Sequence, residues 1–158
     1  MAQPSLLPQE RKVEAIKDGT VIDHIPSGVG SVLLRALDML VTDKVVSIGL
    51  NFKSKRAGTK DLIKIEQYEL DTHALSRVAI IAPGATVSTI RDFKVVDKIV
   101  PTMPEEILGL AECPNPQCIT NHEKMTTHFV VRANGAVSDL RCHYCEKLFL
   151  LTDLEFGR

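Results

Sequence analysis

Gly19-Thr20-Val21-Ile22-Asp23-His24-Ile25-Pro26 runs into Ser27-Gly28, and from there the apolar positions are Val29, Val32, Leu33, Ala36, Leu37 and Leu40. The first run is rich in β-branched residues and follows a turn-forming glycine, which predicts a strand. The second set recurs at i, i+3, i+4, i+7, i+8 and i+11, one apolar stripe on a helix. Ser27 is the expected N-cap. Just upstream, Val13-Glu14-Ala15-Ile16 also reads as extended. Downstream, Val45 to Leu50 is a β-rich run, a glycine-containing loop follows, and in Asp61 to Tyr68 Ile63 and Ile65 alternate with Lys64 and Glu66. Asp71 is placed to cap a second helix carrying Leu75, Val78, Ala79 and Ala82, which Pro83-Gly84 stops; Val87 to Val96 returns to strand. The order β-α-β-β-α-β predicts an α+β, ferredoxin-like antiparallel sheet with two helices on one face. That fold hosts many unrelated functions and names none.

The chain has 158 residues, 44% hydrophobic and 25% charged, with a net charge of -1. This is globular composition, without the bulk charge of a polyanion binder. No apolar run approaches the ~20 residues that cross a bilayer. Met1 to Arg11 has prolines and charges but no apolar core of a signal peptide, so a cytoplasmic location is expected. Residues 1–100 hold 14 Lys/Arg and 12 Asp/Glu, and residues 101–158 hold 5 and 8. Pro101 and Pro104 lie between them. We therefore expect two domains, 1–100 and 101–158; a loop within one domain is the alternative reading.

All four cysteines fall in the second part: Cys113, Cys118, Cys142 and Cys145, spaced Cys-x4-Cys and Cys-x2-Cys. Reduced cytosolic thiols make disulfides a poor explanation. Four thiolates around tetrahedral Zn²⁺ leave no open position, the mark of a structural site in a small zinc-ribbon-like β domain. Four buried or redox-active thiols, or iron, are the alternatives. His122, His128 and His143 are nearby, but four sulfurs already fill the shell, and surface histidines are the plainer reading. The zinc unit is acidic and the aromatic content is 4%, which argues against phosphate-rich partners and base stacking. A protein-docking module fits better. Lys53, Lys55, Arg56 and Lys60 form a run without an acid, either a solvated hairpin loop or an anion-attracting rim. No phosphate-binding glycine loop, dinucleotide fingerprint, nucleophile elbow or metal-hydrolase motif is present. From residues alone the chain reads as a non-enzymatic two-unit protein. A nucleic-acid-binding zinc ribbon and a small enzyme are the competing classes.

Val13 to Ile16, Gly19 to Pro26, Ile48-Gly49-Leu50-Asn51, Lys60 to Glu66, Ala82-Pro83 with Ala85-Thr86-Val87, and Cys113-Pro114-Asn115 through Cys142-x-Tyr144-Cys145-Glu146-Lys147 together resemble the regulatory chains of aspartate carbamoyltransferase. The resemblance runs from Val13 to about Phe149. It implies a non-catalytic subunit of pyrimidine biosynthesis, with three regulatory dimers bridging two catalytic trimers. It implies an amino-terminal domain that binds CTP and UTP as inhibitors and ATP as activator, and one structural zinc per chain in a domain that docks on the catalytic chain. Carried onto this sequence, it places the base near Val13, Glu14, Ala15, Ile16 and Val21. Asp23 and Lys64 are expected at ribose and base, Lys98 and His24 at the phosphates with Lys60 close by, and Ile90 and Val95 against base and sugar. Ser88 stands where asparagine is expected, and Phe93 where tyrosine is expected. For docking it points to Asn115, Gln117 and Glu123, with Asn134 in place of an expected arginine.

Overall fold

A computed structural model describes residues 13–56, 58–134 and 137–156; the expectations on Met1 to Lys12 lie outside them. The first strand, β1 (Gly19–Pro26), leads into α1 (Gly30–Ala36), then β2 (Val46–Ser54), β3 (Gly58–Glu66), α2 (Thr72–Ile81), β4 (Thr86–Arg91) and β5 (Lys94–Ile99). All neighbours are antiparallel, in the order β2-β3-β1-β4-β5. Sequentially adjacent β1 and β2 are thus separated in the sheet by β3, as the split pattern requires. Ile22, Ile63, Ile65 and Val87 point one way and bury against Leu33 and Leu37 of the α1 region and Val78 of α2. Gly19 opens β1 at φ 142°, with its Cα hydrogen turned onto β3; a Cβ there would lie 2.1 Å from the Ile65 carbonyl oxygen.

Four local expectations are corrected. Val13–Ile16 is irregular backbone rather than strand. The first helix is shorter than its stripe. Met39 N–H donates to Leu34 O and Asp38 N–H to Arg35 O, with Asp38 left-handed at φ 58°, a Schellman closure that leaves Leu40 exposed. Ser27 caps nothing: its hydroxyl donates to Asn51 Oδ1 and Thr59 Oγ1, and Val29 is the N-cap position. The single strand expected over Val87–Val96 is a hairpin, turned at Asp92-Phe93, where both φ angles are positive. Asp71 does cap α2, accepting the Ala74 N–H at 2.8 Å.

Beyond residues 100–105, which form neither helix nor strand, comes a second antiparallel sheet: β6 (Glu106–Leu108), β7 (His128–Asn134), β8 (Val137–Cys142) and β9 (Leu148–Leu150). Phe129, Leu140 and Ile107 form its core, with Phe149 edge-on to Phe129. The buried side chains of both sheets join in one cluster. The segment Leu151–Phe156 faces Val29, Val32, Ile80 and Ile81 across an apolar cavity of about 530 Å³.

Candidate functional sites

The face of the first sheet turned away from the helices carries most of the residues expected at a nucleotide. Ser47 of β2, Lys64 of β3, Val21 of β1, Ser88 of β4 and Lys98 of β5 stand in one cross-strand rung. Strands lie about 4.8 Å apart, so Lys64 and Lys98 are separated by roughly 14 Å along it. One pleat along, Gly19, Ile90 and Val95 form the next rung. On the other side, β1 bulges between Ile22 and Ile25, and Asp23 and His24 occupy the bulge.

Charge is ordered across this face. Lys60 Nζ sits 2.8 Å from one Asp23 oxygen and 3.0 Å from the other. His24, at φ 58°, donates its N–H to Asp23 Oδ1 and places Nδ1 3.2 Å from Thr86 Oγ1. Partial burial pushes the Asp23 carboxyl up, but the Lys60 ammonium and the His24 N–H together outweigh it and hold it below the usual 3.8. The Lys98 side chain has no hydrogen-bond or ion-pair partner among the described residues, so its charge is available to an incoming anion. Lys64 Nζ donates to Glu14 O at 2.7 Å and lies 3.5 Å from Val13 O. This brings the irregular Val13–Ile16 segment, with Ala15 exposed and Ile16 buried, over the β3 end of the rung. The segment is held further on, where Phe93 N–H donates to Lys17 O and Gln67 N–H to Asp18 O. Phe93 stands apart from the rungs, on the hairpin turn and 63% exposed. Sequence reasoning passed over Thr86 and Asp61. Asp61 alternates with Ile63 and Ile65 on the core face, a pattern that marks a buried carboxylate in need of donors.

The cysteines come from two turns. Cys113 and Cys118 flank the loop after β6; Cys142 ends β8 and Cys145 lies in the turn to β9. All four Sγ atoms lie within 4.8 Å of one another, with Cys113–Cys145 and Cys118–Cys142 both at 3.8 Å. A tetrahedron of sulfurs about 2.3 Å from a central ion has edges of about 3.8 Å, so the set fits a four-coordinate metal. Burial pushes the Cys113 and Cys142 thiols up. Burial also opposes ionisation of Cys118, but the Thr120 hydroxyl, at 3.2 Å, and its N–H bring it down to about 7. Backbone N–H groups of Asn115, Tyr144 and Cys145 point at sulfur as well. These donors stabilise thiolate, the form that binds metal.

The three docking candidates separate. Gln117 and Glu123 are exposed. Asn115 is buried, and its side chain takes the Gln117 N–H at 3.2 Å, with Lys147 Nζ at 3.5 Å, inside the first cysteine turn. Its place is in the metal knuckle rather than on an open surface. The Asn134 side chain lies outside the described ones.

Residues 11–102 match the family model for the aspartate carbamoyltransferase regulatory chain, allosteric domain, and residues 105–155 match the one for its metal binding domain. Among curated relatives, the aspartate carbamoyltransferase regulatory chain of Edwardsiella ictaluri is 49% identical over 138 residues, 87% of this chain and 90% of that one. Those of Neisseria gonorrhoeae and Pyrococcus abyssi are each 45% identical, over 141 and 140 residues, covering 89% and 87% of this chain and 93% and 91% of their own. With an open sheet face of ordered charge, a four-sulfur metal site and both family models matched in sequence, the chain belongs to the family of aspartate carbamoyltransferase regulatory chains.

Proposed function

We propose that this regulatory chain binds CTP, UTP and ATP on the open face of the five-stranded sheet and passes their effect to the catalytic chains of aspartate carbamoyltransferase in the cytoplasm. The observation that carries this reading is the rung Lys64–Val21–Ser88–Lys98 with the Asp23–Lys60–His24 group beside it. An extended ligand laid along the rung meets backbone groups of Val13–Ile16 near Lys64. Its phosphates meet Lys98 at the β5 end and turn towards His24 on β1 and Lys60 on β3, beside the rung. Ile90 and Val95 offer apolar surface one pleat away. A single Ser88 hydroxyl both donates and accepts, so it contributes little discrimination between amino and carbonyl base edges. Selectivity then rests on the backbone of Val13–Ile16.

The chain divides at residues 100/101, and the carboxy-terminal unit holds one structural zinc and docks on a catalytic chain through the surface carrying Gln117 and Glu123. The exposed apolar residues Leu40, Val41, Val45, Ile48 and Leu50, on or beside the β2 edge, form the contact between two regulatory chains. Three such dimers bridge two catalytic trimers. An effector acts by binding one quaternary state more tightly, a coupling of about 1–3 kcal/mol.

Calorimetric titration of the holoenzyme with each nucleotide, with and without a bisubstrate analogue, tests the reading. Saturable binding whose affinity changes with the analogue is expected. Absence of nucleotide binding, together with a salt-dependent oligonucleotide shift, points instead to a nucleic-acid-binding zinc ribbon.

A further inference from the structure

Two bulges lie side by side in the first sheet, and one buried carboxylate bonds the β2 bulge and the loop that follows β1, while the His24 N–H of the β1 bulge goes to Asp23 Oδ1. In β1, Ile22 pairs with Ile63 and Ile25 with Asp61, so Asp23 and His24 stand opposite Leu62 alone. In β2, Gly49 pairs with Leu62 and Phe52 with Lys60, so Leu50 and Asn51 stand opposite Asp61 alone. The second residue of each inserted pair is left-handed, His24 at φ 58° and Asn51 at φ 60°. A bulge interrupts the ladder, and the backbone groups it frees need other partners. Asp61 is 0% exposed. Its Oδ1 accepts the Asn51 N–H at 2.9 Å, and its Oδ2 accepts the N–H groups of Gly28 at 3.0 Å and Gly30 at 2.9 Å. Gly28 and Gly30 lie just beyond Pro26, the last residue of β1. The fit is close: a Cβ on Gly30 would lie 2.9 Å from both Asp61 Cβ and Oδ2.

The geometry points to Asp61 as the positioning residue of the effector site's anion-binding end: its carboxylate holds the β2 bulge directly and anchors the end of β1 through Gly28 and Gly30, and so sets where Asp23, His24 and Lys60 present themselves. This rests on the nucleotide reading above. Asp61 touches no ligand itself. It acts through the β1 bulge and through its chain neighbour Lys60, which is tied to Asp23. An asparagine there accepts through one atom only and turns an NH₂ towards either Asn51 or the two glycine donors. Regular pairing then competes with the bulges, and a one-residue slip moves side chains to the other face of the sheet. The Val13–Ile16 end, tied to Lys64 instead, is outside this network.

The test is calorimetry on the holoenzyme with CTP and with cytidine, comparing wild type, Asp61→Asn and Gly30→Ala. Asp61→Asn is expected to lose CTP affinity about tenfold or more while cytidine affinity stays within about twofold. Gly30→Ala leaves the carboxylate in place but presses on it, and should lose CTP affinity in the same selective way, by about fivefold. It decides the matter if Asp61→Asn does not fold. Faster amide exchange at Asn51 and Gly28 should accompany either loss. Unchanged CTP affinity in a folded variant overturns the proposal, as does an equal loss for CTP and cytidine, which marks general loosening. A wild type that binds neither ligand overturns the effector reading itself, and the role of Asp61 with it.

Discussion

Asp23 is stabilised as a carboxylate by Lys60 and the His24 N–H, and its folded-state pKa lies below the ordinary 3.8. In the unfolded chain the same group binds its proton at higher pH, so stability rises with pH through this range. The contribution is fully present above about pH 5 and is lost as the pH falls through and below 3.8. The stability advantage of wild type over Asp23→Asn should therefore shrink between pH 5 and pH 3 in urea unfolding. Parallel curves would remove Asp23 from the network. At the same scale, Lys98→Ala removes the one site lysine without a partner among the described residues. It should leave folding unchanged and weaken triphosphate binding by roughly tenfold, the worth of a charge-assisted hydrogen bond. Calorimetry reads both halves of that expectation.

Helices α1 and α2 are begun by different means, and this makes a prediction at the level of elements. Asp71 caps α2 from within its own chain segment, so Asp71→Ala should cost about 1 kcal/mol in denaturant unfolding. The start of α1 is instead served by Asp61 from β3, and Ser27→Ala should cost clearly less, because that hydroxyl bonds Asn51 and Thr59. The β2 edge offers a second test. Val41 is 94% exposed and Leu50 50% exposed, and an edge strand carrying an added charge resists pairing. On the proposed pairing through this edge, Leu50→Lys should lower the sedimentation mass of the isolated regulatory chain from dimer to monomer.

For the molecule as a whole, the two sheets are stabilised by different means. The first buries Ile22, Ile25, Leu33, Ile63, Ile65 and Val78 almost completely. The second unit, of some 50 residues, is near the lower limit for a self-sufficient core. A structural zinc contributes about 10–16 kcal/mol in finger peptides. Cys113→Ala, or removal of metal by a chelator, should therefore unfold 105–156 and abolish docking on catalytic chains, with nucleotide binding largely kept. Metal analysis, circular dichroism and co-sedimentation with catalytic trimers check it. An assembly-competent Cys113→Ala protein would show that the metal is dispensable.

Local chemistry alone determined the order of strands and helices through α2, the Asp71 cap and the four cysteines that meet in one cluster. Each depends on residues near one another in sequence: a period of two or 3.6, a carboxylate three residues before an N–H, two cysteines flanking a tight turn. The positions of Val21, Lys64, Ser88 and Lys98 were legible only through family resemblance, because their common rung is a matter of register among four strands that are distant in the chain. Tertiary structure decided the rest. A left-handed Asp38 and the Arg77 guanidinium, which donates to Ala36 O at 2.6 Å, close α1 before its apolar stripe ends. Asp92-Phe93 folds a continuous β-rich run into a hairpin because Asp18 and Lys17, from another segment, accept its N–H groups. The β2 bulge has its freed Asn51 N–H taken up by a carboxylate buried in β3, which also holds the Gly28 and Gly30 N–H groups just beyond β1. In each case a partner distant in the chain takes part, where neither periodicity nor spacing reaches.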